Sequence, residues 1–170
     1  MRVLAFDPGF ERLGVAVVEK VKNPSTSLRA SNKEELLYSS CVRTDAKLPF
    51  PERLAQLGAA VEKLLEEWKP DAVALEDLYF AKNVKTAMQV AEVRGMLIYL
   101  AASRGVPIYQ YTPLQVKVAV TGYGGSDKRA VAAMVPRLLT LPPSKRLDDE
   151  MDAIAIGLTC LASLRIYPQQ

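Results

Sequence analysis

The chain has 170 residues, 49% hydrophobic, 24% charged and 7% aromatic, a composition typical of a globular domain that buries its own core. It contains no histidine, which excludes histidine-dependent nucleophiles, histidine-ligated zinc and imidazole acid–base catalysis. Its two cysteines, Cys41 and Cys160, lack the CxxC spacing of zinc or thiol redox sites. Any catalysis must therefore use carboxylates and lysines.

The apolar segments are too short for membrane insertion. The longest, 153–164, falls short of the roughly 20 residues that a spanning helix needs. The few residues before Asp7 are too short for the core of a signal peptide. We expect one cytoplasmic domain over residues 1–170, without membrane association.

The net charge of +3 is unevenly distributed. Residues 77–146 carry ten basic and three acidic side chains, whereas 51–76 carry three basic and six acidic ones. Residues 147–170 are again acidic, with one basic and four acidic side chains. The pattern indicates a polyanion-binding surface beside a cluster of acids, although ordinary solvated lysines would give the same pattern.

The first third of the chain reads as strands. Residues 3–6 are continuously apolar, as in a strand buried on both faces, and a turn at Asp7 ends them. Residues 13–18 are the expected hairpin partner, 23–35 a polar loop and 36–44 a third strand.

Helices and strands then alternate. Apolar residues at helical spacing predict a helix over 51–68, followed by a buried strand over 72–75. A helix over 84–104 and a strand over 106–111 come next. Two further helices are expected, one starting at Ser126 or Asp127 and the last running from Asp148 or Asp149 to about 164. The order predicts an α/β fold with one mixed sheet.

Two acids follow buried strands: Asp7 after 3–6 and Glu76 after 72–75. Ligand sites in α/β proteins form at the carboxyl ends of strands, so both acids meet there if the two strands are neighbours. Strand alternation sends Asp77 to the opposite face. The alternative is that each acid is only solvated at a strand end.

The last helix supplies further acids. Asp149 and Asp152 are three residues apart and share a face, while Asp148 remains an alternative to Asp149. Acids at a helix start are also explained by capping and by the helix dipole. A cluster with Asp7 and Glu76 would need cations, and histidine-free carboxylate ligands favour Mg²⁺, with Mn²⁺ as a substitute. Two such ions can activate water and stabilise the leaving oxygen in phosphodiester hydrolysis.

Aromatic and basic side chains supply candidate nucleic-acid contacts. Tyr79 and Phe80 fall in a predicted loop, where exposed aromatics can stack on unpaired bases. Packing of Phe80 against the core is the alternative. The candidate phosphate contacts are basic residues around the acids: Lys82, Lys85, Lys117, Lys128 and Arg129.

Five motifs in order carry a family resemblance: Asp7-Pro8-Gly9 with Gly14; Ala74-Leu75-Glu76 followed by Phe80-Ala81-Lys82-Asn83; Gln115-Val116-Lys117; Gly122-x-Gly124-x-x-x-Lys128; and Asp149-x-x-Asp152-Ala153. In these the chain resembles the RuvC family of bacterial Holliday-junction resolvases. The resemblance implies a ribonuclease-H-like mixed five-stranded sheet with helices on both faces. Position 149, histidine in many relatives, is aspartate here, and the 23–35 stretch is longer than expected.

The resemblance also implies residue roles. Asp7, Glu76, Asp149 and Asp152 match the family's catalytic acids, which bind Mg²⁺, with two ions per active site. Lysines near the scissile phosphate match Lys117 and Lys128, and the aromatic that enters the junction crossover matches Tyr79 or Phe80.

The implied function is resolution of four-way DNA junctions by paired symmetric nicks in recombination and repair. A YqgF-type nuclease acting on RNA or other branched nucleic acid is the alternative; an actin-like or sugar-kinase fold would need a longer chain. A non-catalytic junction-binding protein would not need four intact acids.

Two partners are expected besides the junction DNA: a second copy of the chain and the RuvA–RuvB branch-migration complex. A two-fold dimer matches the symmetry of the junction. The expected interface is the helix after Asn83, through the apolar Val84, Ala87, Met88, Ala91, Leu97 and Ile98, with Gly95 permitting close approach.

Overall fold

The computed structural model describes residues 1–21, 33–77, 84–142 and 145–166, and its centre is a five-stranded mixed sheet. The strands are β1 (Arg2–Asp7), β2 (Arg12–Val21), β3 (Lys33–Arg43), β4 (Ala72–Glu76) and β5 (Ile108–Tyr111). The helices are α1 (Phe50–Trp68), α2 (Val84–Ala102), α3 (Pro113–Thr121), α4 (Lys128–Leu138) and α5 (Asp148–Ile166).

The sheet order is β3-β2-β1-β4-β5, so the first and fourth strands are neighbours, which is the condition for Asp7 and Glu76 to meet. β1, β2 and β3 form an antiparallel meander. β4 pairs parallel to β1, with Phe6 opposite Leu75, and β5 pairs parallel to β4. The carboxyl ends of β1 and β4 therefore lie side by side.

Helices cover both faces of the sheet, as expected, because alternate side chains of each central strand point in opposite directions. Leu4 and Phe6 pack with residues of α1 and α2. Val3 and Ala5 pack with residues of α3, α4 and α5. The described residues thus form two hydrophobic cores, one on each side of a shared sheet.

Two glycines let α5 lie directly on the sheet. A Cβ on Gly157 would come within 2.7 Å of Val18 and 3.3 Å of Ala5. A Cβ on Gly14 would lie 2.1 Å from the backbone oxygen of Asp149. Because both positions lack a side chain, the start of α5 approaches β2 closely.

Some boundaries differ from the sequence expectations. β3 begins at Lys33, so 33–35 belong to a strand and not to the expected polar loop; the rest of that loop, 23–32, lies outside the described residues. These residues pair with the end of β2 in the outermost strand of the sheet, and Glu35 also bridges to Thr140. β5 starts at Ile108 and α2 ends at Ala102, two residues from the expected limits in each case.

Helix α3 was not expected from the sequence. Its N-cap is Thr112, whose side chain accepts a hydrogen bond from the Gln115 backbone N–H, while Gln115 Oε1 accepts one from the Thr112 N–H. Pro113 occupies the first turn, where its missing N–H costs nothing. Among the described helices, none has the length and hydropathy that membrane crossing requires.

Candidate active site

The site begins at the paired ends of β1 and β4. Asp7 and Glu76 are the last residues of these strands, and both share the strand parity of the alanines that face α5. Asp77 emerges on the other face, where it forms an ion pair with Arg94 of α2 at 3.2 Å. The expected separation of Glu76 from Asp77 is confirmed.

The first turns of α5 place two further acids over these strand ends. Asp149 lies against β2 and β3: its Oδ2 is 3.4 Å from Arg12 Nη1 and 3.9 Å from Cys41 Sγ. Asp152, one turn along, faces Asp7 and Glu76, since its charge raises the pKa of both. The four acids therefore converge from three elements.

The carboxylates repel one another at this position. The pKa of Asp7 is raised to about 7, first by burial and then by the negative charges of Asp152 and Glu76. Burial also raises the pKa of Glu76 and of Asp152, although nearby cations partly offset the effect. An acid cluster with raised pKa values is stabilised by positive charge.

Lysines supply part of that charge. Lys128 Nζ lies 2.5 Å from Asp152 Oδ2, and this contact raises the pKa of Lys128. Lys117 lines a cavity of about 230 Å³ together with Glu76, Asp152 and Lys128, and it lowers the pKa of Glu76. The two lysines expected near the acids are thus brought to them.

Arg129 and Asp148 lie further out. Both line a second cavity, of about 290 Å³, next to Lys128 and Asp152, and both are exposed. Asp149, in contrast, is half-buried, and its charge contributes to the raised pKa of Asp7. The geometry brings Asp149 closer than Asp148 to the paired strand ends.

The donor set fits a hard divalent cation in its chemistry, because it consists of carboxylate oxygens without histidine. In their present arrangement, however, no three acid or cysteine side chains within the described ranges are grouped closely enough to hold an ion. Asp149 is turned toward Arg12 and Asp152 toward Lys128. Ion binding would require these carboxylates to move closer to Asp7 and Glu76.

Four candidate DNA contacts cannot be placed. Tyr79, Phe80 and Lys82 lie outside the described residues, and Lys85 is in α2 but its side chain is not described.

Sequence reasoning missed two arginines of the site. Arg12 pairs with Asp149, and the buried Arg94 lowers the pKa of Glu76 while contacting Asp77 and Gln110. The hairpin register in the structure places Arg12 on the face of the acids, because Asp7 pairs with Gly14, but no local sequence pattern specifies that register. We find no sequence signal for Arg94.

The face of α2 expected to form an interface is only partly exposed. Met88 and Tyr99 are 60% and 69% exposed, and Ala91 and Gly95 lie between them on the same side. Leu97, expected in the interface, is buried in the chain's own core, and Ile98 is partly buried against the same core. These two residues fall on the inward side of the helix; the side chain of Val84 is not described.

Comparisons with known proteins agree with this geometry. The family model described as crossover junction endodeoxyribonuclease RuvC matches residues 3–160. Two relatives of that description are similar: one from Brevibacillus brevis, 43% identical over 94% of this chain and 90% of its own length, and one from Thermomicrobium roseum, 45% identical over 93% and 91%. The solved structure of T. thermophilus RuvC in complex with Holliday junction substrate superposes with a TM-score of 0.86 at 36% identity, covering 98% of this chain and 96% of that one.

Proposed function

This chain belongs to the RuvC family, and from that premise we propose that it is an endodeoxyribonuclease that resolves four-way DNA junctions by paired symmetric nicks in recombination and repair. The observation that carries the proposal is the convergence of Asp7, Glu76, Asp149 and Asp152 beside two lysines. A YqgF-type nuclease is not favoured, because the family model and the similar chains are all junction endonucleases.

The four acids are the proposed catalytic residues and metal ligands. Nucleases of this family are metal-dependent; the ion proposed here is Mg²⁺, replaceable by Mn²⁺, with two ions per site. When bound, such ions supply positive charge that polarises the scissile phosphate and activates water. Support comes from the oxygen-only donor set and from the pKa of Asp7, which is raised by burial and then by the charges of the neighbouring acids.

The lysines are proposed to offset the charge of the acids before ions bind and to bind phosphate of the substrate afterwards. The contact between Lys128 Nζ and Asp152 offsets the charge of that acid, and the same contact raises the pKa of Lys128. Once Asp152 is engaged elsewhere, Lys128 is free to bind a phosphate oxygen in the cavity that it shares with Lys117. Lys117 favours the ionised form of Glu76, the form able to act as a ligand.

Further contacts extend along the DNA. Arg129, exposed next to Lys128, is a proposed phosphate contact. Lys82 and Lys85 are proposed phosphate contacts, and Tyr79 and Phe80 are proposed to stack on bases at the crossover. These four assignments rest on the sequence and on family membership.

A homodimer is the proposed assembly, since one acid cluster per chain cannot make two symmetric cuts at once. The exposed side of α2, formed by Met88, Ala91, Gly95 and Tyr99, is the proposed interface. Met88 and Tyr99 leave apolar surface on this outward face, Gly95 permits close approach of a second copy of the same helix, and the exposed Glu92 lies among them.

The wider setting follows from family membership. We propose that residues 1–170 form a single domain, which the continuous sheet supports, and that the chain works with the RuvA–RuvB complex in the cytoplasm. The free thiols of Cys41 and Cys160 suit a reducing compartment.

A cleavage assay tests the proposal. Purified protein with Mg²⁺ is given a synthetic four-way junction, the matching linear duplex and an RNA–DNA hybrid. Paired symmetric nicks confined to the junction are the expected result. Preferential cutting of the hybrid, or no cutting of the junction, would contradict it.

A further inference from the structure

A basic cleft lies on the opposite side of the acids from Lys117 and Lys128. Arg12 and Arg43 occupy directly opposing positions at the ends of β2 and β3. Their strand parity matches that of Gly14 and Cys41, which face Asp149, so both arginines project on the α5 side of the sheet. Like charges directly opposite on paired strands repel, which costs stability unless an anion lies between them.

The two arginines line an open cavity of about 340 Å³, with Glu11, Thr44 and Ala46. Arg43 is exposed and, within the described part of the chain, makes no ion pair with any carboxylate. Glu11, the acid of this cavity, is also exposed and makes no ion pair with either arginine among the described contacts. With Asp149 counted beside Arg12, the arginines and acids of the cleft balance, and Arg43 is the guanidinium that the described ion pairs leave open to an incoming phosphate.

The walls of the cleft are held in place by a buried arginine. Arg53 of α1 is 5% exposed, and its Nε donates to Thr44 Oγ1 while its Nη2 donates to the Phe10 carbonyl. Thr44 Oγ1 donates to the same carbonyl, and the Thr44 N–H donates to the Glu11 carbonyl. These bonds join the β1–β2 turn to the end of β3, so the cleft is organised before any ligand arrives.

Arg12 connects this cleft to the catalytic acids through its ion pair with Asp149. A DNA strand whose scissile phosphate lies at the acids, with Lys117 and Lys128 on one side, reaches Arg12 and Arg43 on the other. We propose that Arg12 and Arg43 form a second phosphate-binding subsite, which holds the deoxyribose-phosphate backbone next to the scissile phosphate. The subsite rests on the proposed function, because it takes the same DNA strand as the active site.

Arg43 is the better residue for a test, since Arg12 contacts a proposed catalytic acid. Binding of a four-way junction is measured without divalent ions for the wild type and for Arg43→Gln, Arg43→Lys and Lys63→Gln, the last a control on the exposed face of α1. The Arg43→Gln variant should bind roughly tenfold more weakly, the cost of about one charge-assisted hydrogen bond. Its log K against log salt slope should be shallower by about 0.9. The lysine variant should keep the slope and lose part of the affinity.

A chemical probe then locates the contact. Neutral methylphosphonates replace single phosphates on either side of the cleavage position, and each junction is bound by wild type and by Arg43→Gln. At one flanking phosphate, the replacement should weaken wild-type binding about tenfold and leave the variant unaffected. Equal losses for both proteins at every position would overturn the subsite. Because wild-type junction cleavage is scored separately, that outcome remains distinct from failure of the proposed function.

Discussion

At the scale of single residues, Asp7 is an acid whose ionisation destabilises the folded protein. Its carboxyl sits at the end of a buried strand, and its pKa is raised from 3.8 to about 7 by burial and by neighbouring acids. An acid with a raised folded-state pKa destabilises the fold when it ionises: the penalty is absent below the unfolded pKa and complete above the folded one. Between these limits, stability contributed by the neutral form is lost as pH rises.

Replacing Asp7 by asparagine should therefore stabilise the metal-free protein. The expected gain at pH 8 is a few kcal/mol, or roughly 5–10 °C in the unfolding midpoint, and it should shrink at pH 5. Thermal unfolding in a chelator at the two pH values measures it. The control is Asp148→Asn, at an exposed position at the start of α5, and this change should leave the unfolding midpoint almost unaltered. A gain for Asp7→Asn that is the same at both pH values would show that ionisation is not its source.

Lys117 and Lys128 belong to the same scale, because each acts through one ammonium group. If both bind phosphate, Lys117→Ala and Lys128→Ala should each flatten the log K against log salt slope for junction binding by about 0.9 and slow cleavage. Lys63→Ala, on the exposed face of α1, should change neither. Equal effects at Lys63 and Lys117 would show that these lysines act only through general surface charge and not through specific phosphate contacts.

At the scale of elements, α5 and α2 have different tasks. α5 carries two acids to the sheet and depends on Gly14 and Gly157 for its close approach. α2 buries Val93 and Leu97 beneath it and leaves Met88 and Tyr99 in solvent. One helix therefore carries part of the candidate site, and the other presents the proposed dimer surface.

Changing Met88 to glutamate tests the role of α2. A carboxylate at this 60% exposed position costs the monomer little but would be buried in the proposed dimer. Sedimentation should show a dimer for the wild type and a monomer for Met88→Glu, with paired nicking lost. The Lys63→Glu variant, which changes a charge on the exposed face of α1, should remain dimeric. A wild type that stays monomeric, free and on the junction, yet makes paired nicks would refute the interface.

Sequence patterns predicted those strands and helices whose apolar residues are continuous or regularly spaced. The apolar runs before Asp7 and Glu76 predicted two buried strands, whose acids would meet if the strands were neighbours, and the spacing of Asp149 and Asp152 placed these two on one helix face. Helix α3 was missed because its alternating Leu114, Val116, Val118 and Val120 do not follow helical spacing. Its capping box at Thr112 and Gln115 was the available signal.

Contacts between distant segments were harder to predict. The pairing of Arg12 with Asp149 depends on the β1–β2 register and on how closely α5 approaches β2, neither of which a local pattern specifies. Likewise, Leu97 belonged to an apolar stripe in the sequence, but only the packing of α2 on the sheet decides which edge of that stripe faces inward.

At the scale of the whole molecule, both faces of the sheet are covered by a hydrophobic core, but only one of them carries the candidate site. The α1–α2 side packs on Leu4 and Phe6 of β1, whereas the α3–α5 side ends in four acids and two lysines beside open cavities. The described residues of one chain bring together one such cluster of acids, so the proposed symmetric resolution of a junction would use two chains.

The most direct test of the central claim is single-turnover cleavage of a four-way junction with Mg²⁺ by the wild type and by Glu76→Gln, with Glu67→Gln on exposed α1 as control. The wild type and the control should make paired nicks at similar rates. Glu76→Gln should be at least about a thousandfold slower, equivalent to ~4 kcal/mol of barrier, while still binding the junction. Cleavage by Glu76→Gln at the wild-type rate would contradict the assignment of the active site.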